Sequence, residues 1–125
     1  MTTLSSPMPV QVNLAKIPIC RGLVWSLAGR FPADLAGYTM RLMLAPAADS
    51  ADRVTLDSNG HGITLTADPD NAGKTLFAIE LGEVQTLALP ASVSLRYWWS
   101  ITQPDGVEKP ISSGTIPVID WPPAP

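Results

Sequence analysis

Residues 92–102 have the sequence Ser-Val-Ser-Leu-Arg-Tyr-Trp-Trp-Ser-Ile-Thr, in which apolar side chains occupy every second position. The apolar set consists of Val93, Leu95, Tyr97, Trp99 and Ile101. A period of two is typical of a β-strand with one buried face, so we expect a strand here. Trp98 falls among the polar positions instead, which predicts a large indole on the outer face of a sheet.

A turn sequence follows this strand directly. Gln103-Pro104-Asp105-Gly106 consists of residues that favour turns, and it predicts a hairpin whose second strand runs from about Glu108 to Val118. Pro117 has no backbone donor, so we expect the second strand to lie at a sheet edge or to end at that residue.

The first half of the chain shows the same alternation in two longer runs. Alternating residues predict a first strand over about residues 17–28, and the segment Phe31–Gly37 interrupts it with turn formers. A second strand follows over Tyr38–Leu44. Its even-numbered residues are expected to point inward, and Thr39, Arg41 and Met43 outward.

The middle of the chain predicts three further strands. Val54–Asp57 forms a short strand that ends at an Asn59-Gly60 dipeptide, which is a strong hairpin signal, and Ile63 begins the return strand. After a cluster of turn residues at 68–73, Thr75–Leu81 forms another strand. Residues 82–91 are interpreted as a crossover between two sheets, with a single helical turn at Glu83–Leu87.

Six or seven short strands separated by turns predict an all-β fold, an immunoglobulin-like antiparallel β-sandwich of about seven strands, with a small closed barrel as the alternative. We assign residues 1–16 to an extended N-terminal arm, 17–119 to the sandwich, and 120–125 to a proline-rich C-terminal tail. The predicted core comprises Leu23, Trp25, Leu27, Tyr38, Met40, Leu42, Leu44, Leu56, Ile63, Leu65, Phe77, Ile79, Leu81, Val93, Leu95, Tyr97, Trp99, Ile101 and Ile116.

Composition narrows the classes of partner. The 125 residues suffice for one domain, and a charged fraction of only 15% favours assembly with other chains, because few charges keep copies apart. A net charge of −3, with no cluster of lysine or arginine, argues against binding nucleic acid or an anionic membrane. The amino terminus lacks a secretory signal and no segment reaches the length of a membrane span, so we expect synthesis in the cytoplasm.

The sequence offers little catalytic chemistry. His61 is the single histidine and sits between two glycines in a predicted turn, and Cys20 is the single cysteine, interpreted as a small buried hydrophobe. One histidine and one cysteine do not make a zinc site. The acidic pairs Asp49 with Asp52 and Asp68 with Asp70 are interpreted as solvated loop acids. We therefore expect no enzyme activity, no metal and no cofactor.

Three residues are candidates for a protein–protein interface. Trp98 and Trp121 have no place in the inward-facing pattern, and Arg96 shares the outer face with Trp98. Trp98 is expected either to contact another molecule or to pack under the chain's own arm or tail. Arg96 is positioned to stack on this indole or to pair across an interface.

Several short motifs resemble those of small tailed-bacteriophage structural proteins related to the N-terminal domains of baseplate and tail-fibre proteins. These motifs are Asp34–Leu42, Ser58–Leu65, Tyr97–Ile101 with the Pro-Asp-Gly turn at 104–106, and Ser113–Val118. The resemblance spans about residues 20 to 118. It implies a virion component located at a baseplate, tail, neck or capsid-decoration position.

The sequence thus predicts a non-enzymatic virion structural protein that assembles with other virion proteins and with copies of itself. The alternative is a glycan-binding or host-adhesion module in which an exposed indole stacks on a sugar ring.

Overall fold

The computed structural model describes residues 17–47, 53–90 and 93–120, and these contain eight β-strands and one short helix. The all-β prediction is confirmed. The strands are β1 (Ile19–Arg21), β2 (Trp25–Phe31), β3 (Thr39–Ala45), β4 (Val54–Asp57), β5 (Ile63–Ala67), β6 (Thr75–Leu81), β7 (Val93–Thr102) and β8 (Glu108–Asp120), and the helix α1 is Glu83–Leu87. The predicted arm, residues 1–16, lies outside the described residues, as do residues 121–125 of the predicted tail.

The strands form two sheets that share one core. A five-stranded sheet has the order β1-β8-β7-β3-β4, and a three-stranded sheet has the order β2-β6-β5. Every pairing is antiparallel except β1 with β8, which is parallel. Buried side chains of both sheets belong to a single hydrophobic cluster, so the described chain is a two-layer structure rather than one closed sheet.

The inward-facing positions follow the predicted parity in most strands. β6 alternates buried and exposed residues along its whole length, and the even-numbered residues of β3 are buried, as predicted. The prediction that Leu23 belongs to the core is wrong, because this residue is 43% exposed. Leu27 and Leu65 are only partly buried, at the margin of the core. The side chain of Val93 lies outside the described residues. The prediction omitted several buried residues, namely Ile19, Phe31, Leu35, Ala45, Leu89, Ile111 and Val118.

The predicted first strand is in fact two strands in different sheets. A turn separates them, in which the Leu23 N–H donates to the Cys20 carbonyl (3.1 Å) and Gly22 has a φ of 84°. A positive φ reverses the chain where an L-residue would be strained, so the alternation of residues 17–28 does not continue through the turn. Leu23 therefore lies in the turn and not in the core. β2 then continues to Phe31, which the sequence had placed in a break.

The predicted hairpin at Asn59-Gly60 is also wrong. The turn is present, but β4 pairs with β3 and β5 pairs with β6, so the chain crosses from one sheet to the other at this point. Residues 57 and 62 form a single isolated bridge in place of a ladder. The predicted crossover after β6 is confirmed, because α1 links β6 of the three-stranded sheet to β7 of the five-stranded sheet.

The last strand is longer than predicted. β8 continues past Pro117 to Asp120, which the sequence had assigned to the tail, and β1 pairs with its final residues from Val118 onward. Pro117 immediately precedes this pairing. Among the described strands, β8 before Val118 has β7 as its neighbour on one side and no neighbour on the other. Proline is tolerated at such a position because no second strand requires its missing N–H.

Candidate functional site

Trp98 lies on the outer face of the five-stranded sheet, near its centre. In the ladder it stands opposite Met43 of β3 on one side and Ser113 of β8 on the other, so its indole is flanked by two neighbouring strands. The side chain is half-buried, whereas the next residue, Trp99, is buried in the core. The predicted outward orientation of Trp98 is confirmed.

A groove with a volume of about 460 Å³ runs beside this indole. We call it the outer-face groove, and its lining residues are Arg41, Met43, Trp98, Trp99, Ser100, Glu108, Pro110, Ser112 and Ser113. Three strands, β3, β7 and β8, contribute to it. Its walls combine apolar groups, hydroxyl groups and one ion pair.

A β-bulge in β8 shapes the floor of the groove. Trp99 pairs with Ser112 and Ser100 pairs with Pro110, so Ile111 is an extra residue on β8. A bulge bends the strand and increases its local twist, and the extra residue changes the direction of the side chains that follow. Ile111 is buried, while Pro110 lies exposed on the rim.

The guanidinium of Arg96 lies over the ring of Trp98, with its Cζ atom 5.4 Å from the ring centroid. This is a cation–π contact, which is worth about 0.5–1 kcal/mol at an exposed site. Within the described part of the chain no carboxylate forms an ion pair with Arg96. The structure therefore brings two of the three predicted interface residues together; the third, Trp121, lies outside the described residues.

A polar cluster occupies the other end of the groove. Arg41 forms an ion pair with Glu108, and the hydroxyl of Ser100 donates to the same carboxylate (2.6 Å). Next to Arg41 in the ladder, Asp57 accepts from Asn59 N–H (2.9 Å) and lies 2.7 Å from His61 Nδ1. The hydrogen bond with His61, together with that from the Asn59 backbone, lowers the pKa of Asp57 below its ordinary value.

Of the acidic residues interpreted as solvated, Asp70 is exposed as expected, but Asp68 is not. Asp68 was interpreted as a solvated loop acid, but its side chain is only 2% exposed and forms an ion pair with Arg30 (2.7 Å). The backbone N–H of Asp70 is the main cause that lowers the pKa of Asp68, with further contributions from Asn71 and Arg30. This carboxylate organises the turn before β6. Asp49 and Asp52 lie outside the described residues.

The remaining candidates for chemistry are not assembled into a site. Cys20 is half-buried on β1 and unpaired, and within the described ranges no group of three or more histidine, cysteine or acidic side chains is placed to hold a metal ion. None of the described helices has the length and apolar character needed to cross a membrane.

Sequence reasoning missed Arg41, Met43, Glu108 and Pro110 as parts of the groove. The alternation of residues in β3 does predict that Arg41 and Met43 point outward, and this is the one signal in the sequence that could have assigned them to the outer face. Their position beside Trp98 depends on the register between β3 and β7, and that of Glu108 on the register between β7 and β8. Comparison of the chain with protein-family models, with curated proteins and with solved structures finds no match in any of the three.

Proposed function

We propose that this chain is a non-enzymatic structural protein of a tailed-phage virion, which acts by protein–protein assembly through the outer-face groove. The motifs described above support the phage assignment, and the two-layer β architecture is compatible with an immunoglobulin-like sandwich. The proposed partners are other virion proteins and copies of this chain. The proposal requires no cofactor, metal, nucleic acid or membrane.

The position of Trp98 carries the proposal. A half-buried indole in the middle of a sheet face, flanked by Met43 and Ser113, resembles the aromatic anchors that dominate protein interfaces. Such an anchor contributes most when neighbouring groups exclude water from it, and the groove walls provide these neighbours. Trp99, one residue later, serves the core, so the two adjacent indoles have separate roles.

The alternative function, a glycan-binding module, has one observation in its favour and one against. The hydroxyl of Ser100 and the Arg41–Glu108 pair are polar groups suited to sugar hydroxyls. However, the Arg96 guanidinium covers one face of the Trp98 ring, and a sugar would have to displace it in order to stack there. A docked protein segment can leave this contact in place, so we favour protein assembly over glycan binding.

The substitution Trp98→Ala tests the proposal. The purified full chain should form oligomers at increasing concentration in sedimentation velocity, and Trp98→Ala should reduce them while the circular dichroism spectrum stays unchanged. Leu76→Ala is the matched control, because Leu76 is an exposed apolar residue of the other sheet and should leave assembly intact.

Three outcomes would contradict the proposal. The first is normal assembly of Trp98→Ala, the second is its complete unfolding, and the third is a monomeric wild-type chain that binds in a glycan screen. Portal, terminase or tail genes beside its gene would support the virion assignment, and a neighbourhood of unrelated metabolic genes would count against it.

A further inference from the structure

We infer that the outer-face groove receives an acidic protein segment, with one carboxylate of that segment bound by Arg96, which is not itself a lining residue but lies over the groove-lining ring of Trp98. This inference rests on the proposed assembly function and specifies the chemistry of the partner. It begins from the charge on Arg96, which the fold leaves without an ion pair in the described residues.

Three other arginines have carboxylate partners. Arg21 pairs with Asp120 (2.8 Å), Arg30 with Asp68 (2.7 Å), and Arg41 with Glu108. These pairs join separate parts of the chain and so serve the fold. Arg96 instead lies over an indole ring, and its guanidinium has no carboxylate partner among the described residues, so its N–H groups remain available for one.

The contact with Trp98 prepares Arg96 for a carboxylate by restricting its movement. A guanidinium can donate two parallel hydrogen bonds to a carboxylate, and fixing its plane in advance reduces the entropy lost when the bonds form. Met43 stands opposite Trp98 on the neighbouring strand, so a segment bound over this part of the sheet would exclude water from the pair. Partial removal of water strengthens attraction between opposite charges.

The other end of the groove offers no unpaired cation to a second acid. Glu108 already accepts from Arg41 and from Ser100, so the positive charge of Arg41 is balanced within the chain. Arg96 and Ser100 are four positions apart on β7, which corresponds to roughly 13 Å along a strand. An extended segment would therefore bind with its acidic residue at the Arg96 end and neutral residues at the Ser100 end.

Two synthetic peptides test this arrangement. The probe is an acetylated and amidated peptide, Glu-Val-Glu-Val-Thr-Val, and its partner replaces each glutamate with glutamine. Binding is followed by the shift of the Trp98 indole signal in two-dimensional NMR of the full chain, assigned from Trp98→Phe. We expect the glutamate peptide to bind, and its affinity to fall as salt is added, because ion pairs at a surface are screened.

Arg96→Gln is the decisive variant, and Lys74→Gln is its matched control. Both remove one positive charge, but Lys74 lies in the exposed turn before β6, far from the groove in the fold. Arg96→Gln should weaken peptide binding by roughly fivefold or more, as expected for loss of a charge-assisted pair, and Lys74→Gln should leave it unchanged. Arg96→Lys should restore only part of the affinity, because an ammonium lacks the planar fork.

Equal binding of the glutamine peptide, or full binding by Arg96→Gln, would overturn the inference. So would binding of sialyllactose together with no binding of the acidic peptide, because the occupant would then be a glycan. If Trp98→Ala abolishes assembly while Arg96→Gln changes nothing, the assembly function stands and the acidic-partner inference fails. If Arg96→Gln loses the peptide while Trp98→Ala assembles normally, the acidic ligand stands and the assembly function fails.

Discussion

The ring of Phe77 in the three-stranded sheet meets the ring of Trp99 in the five-stranded sheet edge-on, with centroids 5.3 Å apart and planes at 67°. This contact joins the two layers at the centre of the core. Edge-to-face rings contribute about 0.5–1.5 kcal/mol beyond the apolar area that they bury.

We expect Trp99→Ala to lower the free energy of unfolding by about 3–5 kcal/mol, because it leaves a large cavity between the sheets. The neighbouring change Trp98→Ala should cost only about 1 kcal/mol, since that ring lies on the outer face. Urea denaturation at equilibrium measures both. Equal losses for the two variants would contradict the assignment of one indole to the core and the other to the surface.

Trp99→Phe should be much milder than Trp99→Ala. The indole Nε1 of Trp99 is buried and has no hydrogen-bond partner in the described residues, so phenylalanine removes an unsatisfied donor while it keeps most of the ring. An unsatisfied buried donor costs about 1–3 kcal/mol, which offsets part of the lost contact area. The same urea titration should place Trp99→Phe close to the wild type, and a loss as large as that of Trp99→Ala would disprove this account.

Two glycines of the crossover between β4 and β5 differ in their surroundings. Gly60 and Gly62 both have a positive φ, 92° and 93°, but an added Cβ at Gly60 would meet nothing within 4 Å. At Gly62 it would lie 2.8 Å from Leu56 Cδ2 and 3.0 Å from the Glu80 carbonyl oxygen. The backbone atom cannot rotate away as a side chain can.

Gly60→Ala should therefore cost about 1–2 kcal/mol from backbone strain alone. Gly62→Ala should cost distinctly more, by about a further 1–3 kcal/mol, because overpacking adds to the strain. Thermal unfolding followed by circular dichroism compares them directly. Similar melting temperatures for the two variants would show that the crossover is less tightly packed around Gly62 than the structure indicates.

Thr86 ties α1 to the turn between β1 and β2. Its hydroxyl is fully buried, donates to the Leu23 carbonyl (2.9 Å) and accepts from the Gly22 N–H (3.1 Å). We expect Thr86→Val to cost about 1–3 kcal/mol, because it preserves the shape of the side chain but leaves these backbone groups without a partner. Hydrogen exchange should show faster exchange at the Gly22 amide, and unchanged exchange there would contradict the role assigned to Thr86.

Asp68 should make the stability of the fold depend on pH in the acidic range. Its pKa is lowered in the folded chain, so it stabilises the fold fully above its unfolded pKa of about 3.9, and this contribution is lost as the pH falls through the folded value. Asp68→Asn should thus destabilise the protein near neutral pH and differ less from the wild type at lower pH. Asp34→Asn is a control on an exposed acid. Denaturation midpoints measured across the acidic range will test whether the difference narrows.

The period of two in the sequence was sufficient to place several strands and the faces of their side chains. In β3, β6 and β7 the face on which a side chain lies follows from its position in the alternating pattern of adjacent residues. The structure confirms the outward position of Trp98 beside Arg96. Parity is a local property of an extended backbone, so it survives in a single sequence.

The turn at residues 103–106 predicted the hairpin of β7 with β8, which the structure confirms, but the other strand pairings were decided by the tertiary structure alone. The Asn59-Gly60 dipeptide predicted a hairpin, yet β4 pairs with β3 and β5 pairs with β6. The apolar faces of β4 and β5 thus enter the common core from different sheets. The Arg41–Glu108 pair likewise exists only because β7 aligns β3 with β8. Local turn chemistry cannot specify these distant partners, since hydrogen bonding in a sheet joins residues far apart in the chain.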